Sequence, residues 1–420
     1  MNKISIRFNI GERLDAIKGA FFSLLFLASE ALGLIILTKF LARQGFESIA
    51  GDVSYQLYVV GLINVFFTAL SILLIREVAS KYSADRDFLQ KISSIDSAPP
   101  VFILVSIGLI VFFLVQIALQ GFFHWVNLIF SLGILLRGGN IALAAVEVGK
   151  GRVGLDKEIQ FFNSFLFYSL SCLVIYYAPS AVGIAICYLI PPLLVISWQV
   201  ARWEWVAQIK FVFEIQKIEF AYVKLLILSL GGYFTMNGDA FLAREIVSSS
   251  DFAYYSILSK IGVGIFSLAV VYPSMRMQPI ARALGNGDIR AAKKLWKECV
   301  AVAALIAVSI SLVLIAVYYF FGNIIIPISA RVDIFTFSMI CMNAVIAAFI
   351  GANGWPILAS SKNSLLLPTW VNAILIGMLG YVGAKNFGIE GMLAGVTLAH
   401  ITSAVMHFMI ATSIFNEKSS

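Results

Sequence analysis

The stretch LLFLASEALGLIIL, residues 24–37, is apolar almost throughout and holds one carboxylate, Glu30, near its middle. A run of this kind fits a helix that crosses a membrane, because about 20 apolar residues span a hydrocarbon core of roughly 30 Å. An ionisable side chain at that depth is costly and usually has a functional reason. The stretch therefore predicts a membrane helix that carries a functional acid.

Apolar runs of the same kind recur along the whole chain. Of its 420 residues, 60% are hydrophobic and only 13% are charged, whereas about 25% of the residues of a soluble protein are charged. We therefore expect an all-α integral membrane protein with about 12 transmembrane helices. Breaks rich in charged residues, glycine, proline or asparagine divide the sequence into spans at roughly 17–41, 52–77, 97–119, 122–149, 157–178, 180–201, 219–246, 252–276, 292–321, 332–355, 362–384 and 388–414.

Lysine and arginine residues concentrate in every second loop between these spans. Positively charged loops stay in the cytoplasm, so both termini are predicted to be cytoplasmic. The formal net charge of +7 then follows from topology and from contact with anionic membrane lipids, and no nucleic acid partner is expected. The loop after the eighth span is the richest, with Arg276, Arg282, Arg290, Lys293, Lys294 and Lys297 in or beside it.

The chain divides into two halves of six predicted spans each. The halves are 1–201 and 219–420, and the segment 202–218 between them is long enough for an amphipathic helix on the cytoplasmic face, or alternatively serves as a plain tether. Related segments follow the second and eighth spans, REVASKYSADRDFLQKI at 76–92 and QPIARALGNGDIRAAKKL at 278–295. Their separation of nearly half the chain is typical of transporters built from two similar bundles.

Two segments carry a resemblance to a known group of proteins. The first is DAFLAREIVSSSDFAYYSILSKIGVGIFSLAVVYPSMRMQPIARALGNGD, residues 239–288, with an acid before an apolar run, an aromatic Tyr-Tyr-Ser and Pro273 late in the eighth span. The second is LLIREVASKYS, residues 73–83, a helix that ends in Arg-Glu. Together with the twelve-span pattern, these segments resemble the O-antigen and polysaccharide flippases of the multidrug, oligosaccharidyl-lipid and polysaccharide exporter superfamily.

This resemblance implies two six-helix lobes around a central cavity that opens alternately to each side of a bacterial inner membrane. It implies a polyprenyl-diphosphate that carries an oligosaccharide repeat unit as the cargo, moved from the cytoplasmic to the outer leaflet. A polysaccharide polymerase would then be a partner in the membrane. Nothing in composition or spacing indicates this cargo.

Two acids lie deep in predicted spans. Glu30 follows Lys18 by 12 residues, roughly 18 Å along a helix, and Asp239 follows Lys224 by 15 residues, about 22 Å. We expect both carboxylates to bind a proton or Na⁺ that drives alternation, because a buried carboxylate changes its charge easily only when it binds a cation. The alternatives are a protonated, structural Glu30 and an Asp239 that pairs with Arg244.

Two basic residues, Arg137 and Lys260, also lie deep in predicted spans. They are candidates for contacts with a diphosphate or an acidic sugar, since arginine binds phosphate oxygens through parallel hydrogen bonds. The alternative is that they neutralise a buried acid, either Glu30, Glu147 or Asp239. Polar and aromatic residues that could contact a sugar are Asn64, Asn140, Tyr233, Asn237, Tyr254 and Tyr255.

Several enzyme signatures do not occur in the sequence. It has no GxxxxGK[ST] phosphate-binding loop, no histidine or cysteine spacing typical of a metal site, and no Gly-x-Ser-x-Gly nucleophile motif. We therefore expect no ATP hydrolysis, cofactor, metal or enzymatic activity. Two other functions stay open: a drug or metabolite antiporter of the same fold, and a membrane-embedded polysaccharide polymerase or glycosyltransferase, for which the outer loops are short and poor in charge.

Overall fold

The computed structural model describes residues 10–81, 101–103, 105–109, 125–150, 152, 154–203, 220–325, 333–359 and 365–417. Within these residues the backbone is helical apart from short turns. This is the expected outcome for a chain in lipid, where every backbone N–H and C=O group needs a partner and a helix supplies it locally. The predicted all-α class is confirmed.

Ten long helices account for most of the described residues, and each contains a stretch long and apolar enough to cross a membrane. They are α1 (Ile10–Arg43), α2 (Glu47–Lys81), α3 (Trp125–Gly149), α4 (Leu155–Tyr177), α5 (Ala181–Arg202), α6 (Phe220–Ile246), α7 (Ser249–Gly285), α8 (Ile289–Ile325), α9 (Ile334–Ala359) and α10 (Leu366–Glu417).

The predicted eleventh and twelfth spans both lie in α10. Gly388 breaks this helix, with φ +65° and ψ −147°, a backbone conformation open to almost no other residue. The chain reverses direction here, since Gly383 closely approaches Gly391 and Leu379 closely approaches Gly395, so the two predicted spans are separate helices that meet near residues 385–388. The predicted third span contributes the helical residues 101–103 and 105–109 and otherwise lies outside the described residues.

The described residues fall into two compact units. The first combines those of Met1–Phe40 and Val59–Ser229, and the second combines Leu41–Tyr58 with those of Leu230–Ser420. The predicted halves 1–201 and 219–420 stay a prediction, and most of the linker predicted at 202–218 lies outside the described residues.

In the first unit, α3 and α4 pack on α5. Asn140 of α3 is fully buried, and its side-chain amide donates to the carbonyl oxygen of Pro192 in α5 at 3.0 Å. In return, the side-chain amide of Gln199 donates to the backbone carbonyl of Asn140 at 3.2 Å. These reciprocal bonds join the two helices beside Pro191 and Pro192, where α5 lacks backbone N–H donors.

In the second unit, α7 packs on α8 and α9, and α9 packs on α10. The beginning of α2 belongs to this unit through polar contacts. Asp52 accepts hydrogen bonds from Arg244 of α6 and Ser249 of α7, each at 3.1 Å. The first residues of α2 are thus attached to the α6–α7 turn.

Helix α8 shows how the surface of the protein is adapted to lipid. Its small side chains Ala303 and Ala307 are completely buried against neighbouring helices. Its large apolar side chains point outward, with Leu305 68% exposed and Leu312 63% exposed. In a bilayer such side chains contact lipid tails, so the interior of a bundle can be built from small residues that allow close helix packing.

Candidate functional site

The first unit brings the predicted acid Glu30 and the predicted cation Arg137 to one buried cluster. The hydroxyl of Ser164 in α4 donates to Glu30 Oε1 at 2.5 Å. The guanidinium of Arg137 donates to Ser164 Oγ at 3.5 Å and to the hydroxyl of Tyr188 in α5 at 3.3 Å. Ser164 therefore lies between the two charged groups and contacts both.

Close packing holds this cluster in place. A side-chain carbon at Gly33, one turn beyond Glu30 in α1, would lie 2.3 Å from the ring of Tyr168 in α4, so only glycine allows this approach. The Tyr188 ring is enclosed by Phe130, 5.1 Å away between ring centroids, and by Phe167, 5.4 Å away. The side chains that surround the two charges have little room to reorient.

Glu147 is not the partner of Arg137. Its carboxylate lies 2.6 Å from Lys150 Nζ and 3.0 Å from Arg152 Nη1, beyond the end of α3. Glu30 is the acid that the structure connects to Arg137, because the hydroxyl of Ser164 forms hydrogen bonds with both side chains. The geometry of the first unit is thus compatible with the alternative that Arg137 neutralises the charge of Glu30.

The second unit contains a comparable pair. The hydroxyl of Tyr255 in α7 donates to Asp239 Oδ2 of α6 at 2.6 Å. Lys260, also on α7, interacts electrostatically with Asp239 and places its Nζ atom 4.6 Å from the centre of the Tyr58 ring. As in the first unit, an acid bonds to a hydroxyl and a basic side chain stands close by.

The alternative pairing of Asp239 with Arg244 is wrong. Arg244 lies one helical turn further along α6 and pairs with Asp52 at 3.1 Å. The Asp52 side chain is 58% exposed, so this ion pair lies at the end of the helix bundle, where such pairs contribute little stability. Asp239 retains the hydroxyl of Tyr255 as its hydrogen-bond donor.

The predicted sugar contacts are dispersed. Tyr233 donates to the backbone carbonyl of Tyr58 at 2.5 Å, and Asn237 donates to the backbone carbonyl of Tyr233 at 3.1 Å. Tyr254 donates to Glu47 at 2.9 Å, whereas the side chain of Asn140 is bound to α5. The hydroxyl and amide donors of these side chains are therefore already used in hydrogen bonds within the protein. They can bind a cargo directly only if these hydrogen bonds rearrange.

A cavity of about 40 Å³ lies beside Asp239 in the second unit. Space for roughly 10–15 Å³ of probe centres suffices for one water molecule, so the cavity can hold a few. Both apolar and polar residues line it: Thr235, Met236, Asp239, Ser259, Gly262, Val263, Ile340, Asn343, Ala344, Ala347, Val396 and His400. Neither His400 nor Asn343 was predicted as a site residue, because the sequence does not show which polar side chains of α9 and α10 face Asp239.

A metal site is not formed in the part of the chain that the structure describes. Among those residues, no group of three histidine, cysteine, aspartate or glutamate side chains could hold a metal ion. The clusters around Glu30 and Asp239 each offer a single carboxylate with hydroxyl partners. Such sets can bind a proton or a weakly held monovalent cation.

No protein-family model matches the sequence, and no curated protein matches it. The fold, in contrast, matches solved structures of membrane transporters over nearly the whole chain. An outward-facing multidrug resistance MATE family transporter of the MOP superfamily matches with a TM-score of 0.69 at 12% identity, covering 97% of both chains. An inward-facing structure with the same description matches with a TM-score of 0.67 at 14% identity, covering 97% of this chain and 98% of the other.

A MATE transporter from Vibrio cholerae, VcmN, matches with a TM-score of 0.65 at 12% identity, covering 97% of this chain and 98% of the other. At identities this low, the structural similarity establishes the fold alone. The chain is thus a multi-pass membrane protein with the two-lobed, twelve-helix fold predicted from its sequence.

Proposed function

We propose that the chain is a transporter that moves a small organic molecule across the membrane in exchange for a proton or Na⁺. The observation that carries this proposal is the pairing of Glu30 with Arg137 through the hydroxyl of Ser164. A buried acid whose hydrogen-bond partner is a hydroxyl can gain and lose a cation without breaking a direct ion pair.

Cation binding at Glu30 has an energetic consequence for Arg137. Once a proton neutralises the carboxylate, the guanidinium stays charged and loses its counter-charge in a poorly solvated place. An uncompensated buried charge costs several kcal/mol, so the protonated cluster favours any conformation that gives Arg137 water or a new anion. Ion binding can in this way bias an alternating transporter.

The balance of charges bears on the cargo. Glu30 accompanies Arg137, and Asp239 accompanies Lys260, so neither deep cation carries an unmatched positive charge. The deep cations therefore no longer favour an anionic cargo over a neutral or cationic one. The structural neighbours are described as multidrug resistance transporters, and a drug-like organic cation is the cargo class we favour.

Flipping of a lipid-linked oligosaccharide is the second candidate function. It is supported by the charge of Arg137 and Lys260, because a basic side chain whose neighbouring acid is neutral attracts a diphosphate more strongly. In this case the protein would act in a bacterial inner membrane with both termini in the cytoplasm and would cooperate with a polysaccharide polymerase. Tyr233 and Asn237 remain predicted contacts for either cargo.

Transport assays on purified protein in lipid vesicles test the proposal. Vesicles with an imposed proton or Na⁺ gradient are expected to move ethidium, an organic cation, and Glu30→Gln is expected to lower the gradient-driven rate by roughly tenfold or more. The matched control is Glu158→Gln, which removes an acid of the same unit that pairs with Lys18 at 2.7 Å and does not contact Arg137 or Ser164 in the bonds described above. This control should transport normally.

The same vesicles distinguish the two cargo classes. A short-chain polyprenyl-diphosphate disaccharide added to one leaflet reports flipping when it becomes accessible to a glycosidase on the other side. Ethidium movement without flipping supports the antiporter. Flipping without ethidium movement would replace it by the second candidate, and the absence of both would contradict the transporter proposal.

A further inference from the structure

Two adjacent cavities lie inside the second unit. The first is the cavity of about 40 Å³ beside Asp239. The second, of about 140 Å³, is lined in part by Asn372, Ser403 and His407. Thr235, Met236 and Ala347 line both cavities, so the two cavities share part of one wall.

Two of the three histidines of the chain stand at these cavities. His400 lines the first cavity and is 4% exposed, whereas His407 lines the second and is 3% exposed. They lie seven residues apart on one face of α10, about 10 Å along the helix. Imidazoles inside a membrane are rare and usually serve ion or proton movement.

Polar side chains connect the cavities. His400 Nδ1 lies 3.1 Å from Asn372 Nδ2 and 3.3 Å from its Oδ1, so the amide serves as donor or acceptor according to the tautomer. Asn372 also reaches Thr235, at 3.5 Å. Further along α10, Ser403 Oγ lies 3.2 Å from His407 Nδ1. The polar groups thus continue from the wall of the first cavity into the second.

We propose that these two cavities form a proton pathway in which His400 exchanges protons with Asp239 and passes them toward His407. The inference rests on the proposed function for its purpose, since it identifies the coupling ion as a proton. Its physical basis is independent of the cargo: both cavities are large enough for water, and their linings, which are largely apolar in the second cavity, include groups that accept and release protons.

Each transfer in this pathway moves one proton and requires no other reagent. A proton leaves the carboxyl group of Asp239 for a water molecule in the first cavity and binds a ring nitrogen of neutral His400. The resulting imidazolium contacts Asn372, which lines the second cavity, and releases a proton to water beside that amide. His407 accepts and releases it in the same way, and both histidines end neutral.

Few other charges face the pathway. On the Asp239 side, α7 contributes the Tyr255 hydroxyl and the nearby Lys260. From α8, Lys293 bonds Asn416 at 3.4 Å near the end of α10. The residues of α9 and of the first half of α10 that line the cavities carry no charge. Asp239 is therefore the group whose charge should act on His400 most directly.

Histidine titration tests the pathway without any cargo. In protein labelled with ¹⁵N-histidine, Asp239→Asn is expected to move the pH midpoint of His400 by about half a pH unit or more. The matched control is Asp251→Asn, which removes an acid in the first turn of α7 that bonds Ser248 at 2.8 Å, and it should leave His400 unchanged. An equal pH midpoint of His400 in the wild type and in Asp239→Asn would overturn the pathway.

Transport provides a second test. With ethidium as the cargo, His400→Gln is expected to slow transport driven by a pH gradient roughly tenfold, whereas exchange of ethidium at equal pH on both sides persists. The persisting exchange shows that the variant is folded. The control is His124→Gln, which changes the remaining histidine of the chain and should keep the gradient-driven rate.

The outcomes separate this inference from the proposed function. Ethidium transport that responds to Na⁺ alone, or a His400→Gln variant that keeps its pH-driven rate, would overturn the pathway and leave the transporter in place. Failure of the wild type to move ethidium under either gradient would contradict the antiporter, and the histidine titration would then decide the pathway by itself.

Discussion

At the scale of single residues, the hydroxyl of Ser164 allows a carboxylate and a guanidinium to share one buried place. Ser164 is 1% exposed and contacts both Glu30 and Arg137. Hydrogen bonds to charged groups contribute about 1.5–3 kcal/mol, more than those between neutral groups. The cluster therefore stabilises the first unit, and substitutions of its charged residues should lower the free energy of unfolding.

Because the two charges depend on each other, their substitutions should not be additive. We expect Arg137→Met alone to lower the free energy of unfolding by about 3–5 kcal/mol, since it leaves a buried acid without its cation. The double variant Glu30→Gln with Arg137→Met should lose clearly less than the sum of the two single variants. Thermal unfolding of purified protein in detergent measures these differences.

Lys157→Met is the control for this cycle. Lys157 pairs with its neighbour Asp156 at 3.5 Å and is 39% exposed, so its loss should cost at most about 1 kcal/mol. Additive losses in the cycle would show that Glu30 and Arg137 do not interact, contrary to the geometry of the first unit.

The sequence indicated the charged members of both clusters but not their partners. Glu30 and Asp239 stand out because an ionisable residue in an apolar run is conspicuous. Ser164 does not, because serine occurs throughout such helices and only the rotation of one helix against another selects it, and Tyr255 was predicted as a sugar contact and not as the partner of Asp239. The sequence also does not show that Asn140 joins α3 to α5, because the backbone carbonyl that accepts its hydrogen bond is selected only by how the two helices pack.

At the scale of helices, sequence patterns located the spans well and their ends less well. Helix α7 continues to Gly285, beyond the predicted end at residue 276, and α1 begins at Ile10 rather than near residue 17. Long basic side chains explain the difference, because they let a helix continue into the headgroup region while their charges reach water. Hydropathy locates the apolar segment of a helix that crosses the membrane and does not show how far the helix continues beyond it.

The break in α10 leads to a prediction about Gly388. Its φ of +65° and ψ of −147° lie in a region that is essentially restricted to glycine. We expect Gly388→Ala to lower the free energy of unfolding by about 1–3 kcal/mol, because the added side chain strains the backbone. Thermal unfolding of the purified variant in detergent measures the loss.

Gly377→Ala serves as the comparison on the same helix. A side-chain carbon at Gly377 would meet no atom within 4 Å, and the backbone there is helical. Alanine favours a helix over glycine by about 1 kcal/mol, so this variant should be as stable as the wild type or slightly more stable. If both variants unfolded alike, strain at Gly388 would not explain the break in α10.

At the scale of the whole molecule, charge in the turns predicts how the protein is oriented in the membrane. The turn between α7 and α8, around Gly287, is flanked by basic residues that include Arg290 and Lys293, whereas the turn between α6 and α7 has only Arg244 nearby. Positively charged turns stay in the cytoplasm. The α7–α8 turn is therefore expected inside the cell and the α6–α7 turn outside.

Reporter fusions measure this orientation directly. Alkaline phosphatase, which is active only outside the cytoplasm, is expected to be active when inserted after Val247 and inactive when inserted after Gly287. A fluorescent protein fused after Ser420 should fluoresce, because an even number of spans places the C-terminus on the same side as the N-terminus. Phosphatase activity after Gly287 but not after Val247 would show the opposite orientation.

In the opposite orientation both acids would keep their partners, since Glu30 and Asp239 are bonded within their own units. The proton pathway along α10 would then lead toward the other face of the membrane.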